Sequence, residues 1–146
     1  MENVARSEIA KAKTIKFSFF RMAVITKISQ MQDRKLKLLF VCTVNRMRSA
    51  TAHKIFESDQ RFEVDSAGTD KSANTVLEPE QLEWADAVIV MEKCHRTFIR
   101  DKYPEFYNKK KIVCLYIPDD FDFMQPELIS ILKAKVEDVY RRCLLG

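Results

Sequence analysis

The chain has 146 residues, 47% of them hydrophobic, which is enough for one compact domain with a real core and too little for a second full one. Its formal charge is 25 − 21 = +4, yet residues 1–41 carry nine Lys or Arg against three acids (+6), while residues 42–146 carry sixteen against eighteen (−2). The basic excess therefore lies in the N-terminal arm, and the slightly acidic body argues against nucleic-acid binding, which calls for a basic face with reading or stacking groups set in it.

Residues 1–34 read as a basic extension with patchy apolar periodicity, ending in the polar run Ser29-Gln30-Met31-Gln32-Asp33-Arg34. Three accounts of it stay open: a start-site artefact with Met22 or Met31 as the natural start, a docking helix, or a membrane-surface or targeting segment. Its apolar stretch is interrupted by Arg21, lacks a small-residue cleavage pattern, and is too short to span a bilayer. The four cysteines, Cys42, Cys94, Cys114 and Cys143, include no Cys-x-x-Cys pair, so neither a zinc knuckle nor a thioredoxin-like motif is indicated. A reduced, cytoplasmic protein without a metal or membrane partner is expected.

The domain is expected over residues 35–146. Leu36 to Val41 is a short apolar run of the kind that forms a buried parallel strand, and it stops at Cys42. A helix follows from Arg48 or Ser49 to Ser58, with Ala52, Ile55 and Phe56 as its apolar stripe. Phe62 to Thr69 reads as a second strand turning at Gly68, Pro79 to Trp84 as a helix, and Ala85 to Met91 as a third strand. A helix from Cys94 to Lys102, a fourth strand from Lys111 to Ile117, a turn at Pro118 to Phe121, and a closing helix from Pro126 to Leu144 complete the order. Strands alternating with helices predict an α/β fold: a four-stranded parallel sheet with helices on both faces, a three-layer flavodoxin-like or Rossmann-like sandwich. With glycine only at Gly68 and Gly146, no glycine-rich nucleotide loop exists.

In such sheets ligands sit beyond the carboxyl ends of the strands, where Cys42 lies. The residues after it connect strand to helix, so their N–H groups can converge on one point while the helix N-terminus adds positive potential. That concavity suits phosphate, and a cysteine at a helix N-terminus beside a guanidinium is favoured as the thiolate. Arg48, six positions on, can return its planar fork to the same anion. Nucleophile, oxyanion cradle and bidentate clamp thus fall within Cys42-Thr43-Val44-Asn45-Arg46-Met47-Arg48-Ser49.

Here the chain resembles the low-molecular-weight protein tyrosine phosphatases, whose signature is Cys, five residues, then Arg-Ser directly after the first strand. The likeness extends through Leu38 to Val41, Asn45, Val64 to Thr69, Trp84-Ala85-Asp86, Val90-Met91-Glu92 and Ile117 to Phe121. It implies a phosphoric monoester hydrolase acting on a phosphorylated substrate, with phosphotyrosine on protein the family-implied choice, and working as a monomer or weak dimer without a cofactor. Cys42 would attack phosphorus to give a thiophosphate that water hydrolyses. Thr43, Val44, Asn45, Arg46, Met47 and Arg48 would bind the phosphate, and Arg48 would also stabilise the transition state. Asn45 would hold the loop's shape through its tolerance of left-handed backbone. Ser49 would hydrogen-bond the sulfur, and Asp119 would be the general acid and base, with Asp120 the alternative.

Three features depart from the family pattern. Met47 stands where many relatives have a second loop cysteine, so an intra-loop disulfide cannot form. Asp120 replaces a proline, which leaves the acid open between Asp119 and Asp120. Asp70 to Glu80 is much shorter than the family's substrate-facing segment and lacks its aromatic wall. Two other functions compete: an arsenate reductase-like enzyme with Cys94 as relay, and a non-catalytic phosphate-binding regulatory module. Elsewhere the ordinary readings hold: Cys94, Cys114 and Cys143 as packing thiols, His53 and His95 as surface residues, Trp84 as core. A Cys–His hydrolase is disfavoured because eleven residues of mostly helical chain put His53 up to about 16 Å from Cys42.

Overall fold

The structure, a computed structural model, describes residues 21–23, 34–142 and 144–145. The chain divides into two units, residues 1–34 and 35–146. Apart from Arg34 and a helical stretch at 21–23, the N-terminal extension lies outside the described residues, as does Cys143.

In residues 35–146 the elements run β1 (Leu36–Cys42), α1 (Arg48–Phe56), β2 (Phe62–Gly68), α2 (Pro79–Trp84), β3 (Ala87–Val90), α3 (Lys93–Lys102), α4 (Pro104–Lys109), β4 (Lys111–Cys114) and α5 (Pro126–Arg141). The four strands form one sheet in the order β2-β1-β3-β4, with every pairing parallel. Alternation along the buried strands sorts their side chains into two cores. Leu38, Phe40 and Ile89 pack on one face against Ala52 and Phe56 of α1 and Leu128, Leu132 and Val136 of α5. Leu39, Val41, Val88 and Val90 pack on the other against Leu82, Ile99 and the aromatic residues of α4. Each buried aliphatic contributes about 1.5–3 kcal/mol, so these two apolar layers hold the sheet. Among the described residues no helix is long and apolar enough to cross a membrane.

The elements differ from the sequence expectation at their ends. β3 starts at Ala87, after Ala85 caps α2; Asp86 between them donates its N–H to the Lys37 carbonyl at 2.8 Å and accepts from Lys37 N with its carboxylate at 2.9 Å. β4 stops at Cys114, since Tyr116 takes a left-handed φ of 54° that interrupts the extended backbone. Helix α4 was not expected; Pro104 occupies its first turn, where a missing N–H costs nothing. α5 ends at Arg141 rather than Leu144.

Candidate active site

The chain reverses direction across the sheet after β1: β2 pairs on one side of it and β3 on the other. The carboxyl end of β1 is thus the switch point where open α/β sheets bind ligands, and Cys42 occupies it. From Cys42 the chain curls through residues 43–47 into α1, whose first turn has no side-chain cap, so its amides stay directed at the loop. The curl depends on Asn45, which adopts the left-handed backbone expected of it, with φ 53°. Its N–H then points back to Cys42 Sγ at 3.2 Å.

Ser49 is the second residue of α1, its Oγ 2.9 Å from Cys42 Sγ and 2.8 Å from Asn45 Oδ1. A hydroxyl has one proton, so it serves these neighbours alternately. With a thiol, the S–H donates to Ser49 Oγ and Ser49 donates to Asn45; with a thiolate, the serine proton turns to the sulfur. The site can therefore hold either protonation state of Cys42 without moving a heavy atom.

Arg48 is 2% exposed, the largest fully buried side chain in the domain. A cation here opposes the α1 dipole and loses its water, so it needs acceptors. Glu92 accepts a charged hydrogen bond from Nη1, and the Ile117 carbonyl accepts another at 2.8 Å. Nε is buried and has no hydrogen-bond partner. Asp119 Oδ1 stands 3.6 Å from it, an ion pair at its outer limit, on a side chain that is 68% exposed. Asp120 is exposed, and no contact ties it to the clamp. The Arg46 side chain, by contrast, turns from the loop's centre to Asn74 Oδ1 and the Ser72 carbonyl, leaving only its backbone to face an anion.

Two residues missed in the sequence complete the site. Glu92 and His95 form a capping box at the start of α3, with Glu92 N–H donating to His95 Nδ1 at 3.0 Å. That bond makes Nδ1 the acceptor, so Nε2 carries the proton and donates it to Thr43 Oγ1, 3.0 Å away. His95 is buried, contrary to the surface placement expected, and burial, with the Arg48 charge adding to it, lowers its pKa to about 4. One helix start thus grips both the clamp, through Glu92, and the loop, through His95. The visible signal was Glu92-x-x-His95 directly after an apolar strand, a helix-start pattern whose side chains could equally have faced solvent.

Other expectations change in detail. Cys94 is exposed rather than packed, because it falls on the outer side of α3, whereas Cys114 is buried as expected. His53 is half-buried and its Nδ1 lies 2.8 Å from Ser66 Oγ, away from the sulfur. Trp84 is partly buried against the second core. Among the described residues, Glu92, Cys94 and His95 bring potential metal-ligand atoms within 4.8 Å of one another. Both ring nitrogens of His95 and the carboxylate of Glu92 already have partners, so this group fits a structural role better than an ion.

No protein-family profile and no curated protein sequence matches the chain. Solved structures do. A low-molecular-weight protein tyrosine phosphatase from Streptococcus pyogenes aligns with a TM-score of 0.61 at 16% identity, over 73% of this chain and 92% of that one. A protein tyrosine phosphatase from Entamoeba histolytica aligns at 0.60 and 19% identity, over 77% and 97%. The YwlE arginine phosphatase from Geobacillus stearothermophilus aligns at 0.54 and 23% identity, over 75% and 96%. The domain has the fold these structures share.

Proposed function

We propose that the chain is a cysteine-dependent phosphomonoester hydrolase of the low-molecular-weight protein tyrosine phosphatase type, with aryl phosphate, and phosphotyrosine on protein in particular, as its substrate. The observation that carries this reading is the buried Nε of Arg48, which has no hydrogen-bond partner and only the 3.6 Å ion pair to exposed Asp119, beside a loop whose amide and hydroxyl converge on Cys42 Sγ. A desolvated guanidinium donor without a hydrogen bond is costly unless a ligand supplies an acceptor, and a tetrahedral dianion supplies several. The neighbouring structures are named as phosphatases of tyrosine and of arginine, which supports phosphoryl chemistry on this fold.

In the proposed reaction the Cys42 thiolate attacks phosphorus, and an S–P bond forms as the P–O bond to the leaving group breaks. Asp119, protonated, gives its proton to the departing oxygen; its place 3.6 Å from Arg48 Nε favours it over Asp120. Water then attacks the thiophosphate, Asp119 takes back a proton, and the sulfur leaves as a thiolate that Ser49 O–H stabilises. Arg48 and the loop amides hold the phosphoryl oxygens throughout. A reduced, cytoplasmic setting, which keeps the thiol unoxidised, fits this chemistry.

Hydrolysis of p-nitrophenyl phosphate at mildly acid pH tests the proposal. The parent protein should turn over, Cys42→Ala should not, and Arg48→Lys should lose most activity because one ammonium cannot replace two coplanar donors. Absence of turnover in the folded parent would overturn the assignment.

A further inference from the structure

The stretch Thr69 to Leu77 stands where the resembled family has a longer substrate-facing segment, and its contacts turn inward to the loop. Thr69 N–H donates to the Cys42 carbonyl at 3.0 Å, Asp70 N–H to that of Thr43 at 2.9 Å, and Asn74 N–H to that of Val44 at 3.0 Å. Asn74 Nδ2 donates to the Asn45 carbonyl at 3.2 Å. Four consecutive loop carbonyls are thereby drawn to one side. Because the peptide unit is planar and trans, the N–H of each following residue points the opposite way, into the concavity that faces Cys42. The stretch is itself tied down: Gly68 N–H donates to Thr75 O, Leu77 N–H to Gly68 O, and the Asp70 carboxylate accepts from Ser72 N and Oγ.

We propose that Asn74 is a positioning residue of the phosphate loop, and that residues 69–77 act as a brace that aims the loop amides rather than as a wall that reads the substrate. Asn74 alone engages three successive loop residues: Val44 by its backbone, Asn45 by its amide nitrogen, and Arg46, whose Nε donates to Asn74 Oδ1 at 3.2 Å. Arg46 Nη2 then reaches the Ser72 carbonyl at 3.1 Å, so the arginine stitches brace to loop from outside. The backbone bond to Val44 survives substitution, whereas both side-chain bonds are lost in Asn74→Ala. Without its partner the Asn45 carbonyl is free to rotate, and the N–H of Arg46 rotates with it.

This inference rests on the anion-binding reading of the loop, and the test separates the two. The full chain and its Asn74→Ala, Asn74→Asp and Arg46→Ala variants are titrated with inorganic phosphate by calorimetry, and assayed with p-nitrophenyl phosphate and a phosphotyrosine peptide. Asn74→Ala should weaken phosphate binding about 10-fold or more and raise KM for both esters by a similar factor, with the melting temperature little changed. Asn74→Asp should behave similarly, since it keeps the Arg46 acceptor but loses the donor to Asn45; Arg46→Ala should lose less. A wall would give another pattern, in which phosphate binding is untouched and only the peptide suffers. That result, or unchanged phosphate affinity in Asn74→Ala, overturns the brace and leaves the phosphatase assignment standing. Phosphate binding that depends on Asn74 in a parent without turnover would keep the brace and remove the enzyme. A folded parent that binds no phosphate overturns both.

Discussion

Gly68→Ala adds a single methyl group where β2 meets the phosphate loop. The backbone of Gly68 is not left-handed, so the requirement is for space alone. A Cβ at this position would lie 2.5 Å from Ala73 Cβ, 2.5 Å from the Thr43 carbonyl oxygen and 3.1 Å from Asn45 N. Reaching ordinary contact requires displacements of about 1 Å, and two of the three atoms belong to the loop backbone. Overpacking of this kind costs about 1–3 kcal/mol, and at about 4 °C per kcal/mol for a domain of this size the melting temperature should fall by about 4–12 °C. Activity should fall further than stability, by about 100-fold in kcat/KM, because a displacement of about 1 Å in the groups that hold the substrate is enough to do so. Circular dichroism melting and p-nitrophenyl phosphate kinetics read the two effects. Adding Ala73→Gly removes one of the two closest contacts and should restore part of the loss, since the Thr43 oxygen remains. A Gly68→Ala variant that melts with the parent and keeps its activity would refute the packing account of the loop.

Asp119→Asn should lower kcat by about 100-fold, whereas Asp120→Asn should change it less than about threefold; comparable losses in both would break the assignment drawn from proximity to Arg48. Ser49→Ala should slow breakdown of the thiophosphate more than its formation, so rapid mixing should show a burst of phenol followed by a slower steady rate. Glu92→Ala leaves Arg48 with the Ile117 carbonyl and the more distant Asp119 carboxylate, and should destabilise by about 2 kcal/mol, less than for a fully buried pair because the Glu92 side chain is 38% exposed. His95 has a folded-state pKa of about 4 against 6.5 when free, so between those values the unfolded chain binds the proton and the folded chain does not. Stability from this group is therefore full above pH 6.5 and falls as pH drops toward about 4, by at most about 3 kcal/mol. Urea unfolding should show that decline, and His95→Asn should lack it.

The architecture was legible because β1 and β3 are short apolar runs and α1 and α5 carry apolar stripes, signals that arise from burial on two faces and on one. α4 was missed because six residues headed by proline carry too little periodicity to announce a helix, and β4 was overextended because Ile117 reads as strand even though Tyr116 is left-handed. Within the site, Cys42 and Arg48 were readable from spacing, since a loop closing on one point between strand and helix has few solutions, while Asn45 and Ser49 came from the resemblance to the phosphatase signature. Glu92, His95 and Asn74 were not, because each acts through a partner distant in the chain: Glu92 through Arg48, His95 through Thr43, Asn74 through Asn45. The short stretch after Thr69 was legible as a missing wall but not as a brace, for its function lies in backbone amides that any sequence possesses.

The central claim is a covalent phosphoryl group on Cys42. Acid quenching of the protein within milliseconds of mixing with a phosphotyrosine peptide, followed by peptide mass spectrometry, tests it most directly. The account predicts one phosphoryl group per chain, attached to the Cys42 peptide, accumulating further in Ser49→Ala and absent from Cys42→Ala. Turnover that persists in Cys42→Ala, or a phosphoryl group found on a different residue, would contradict it.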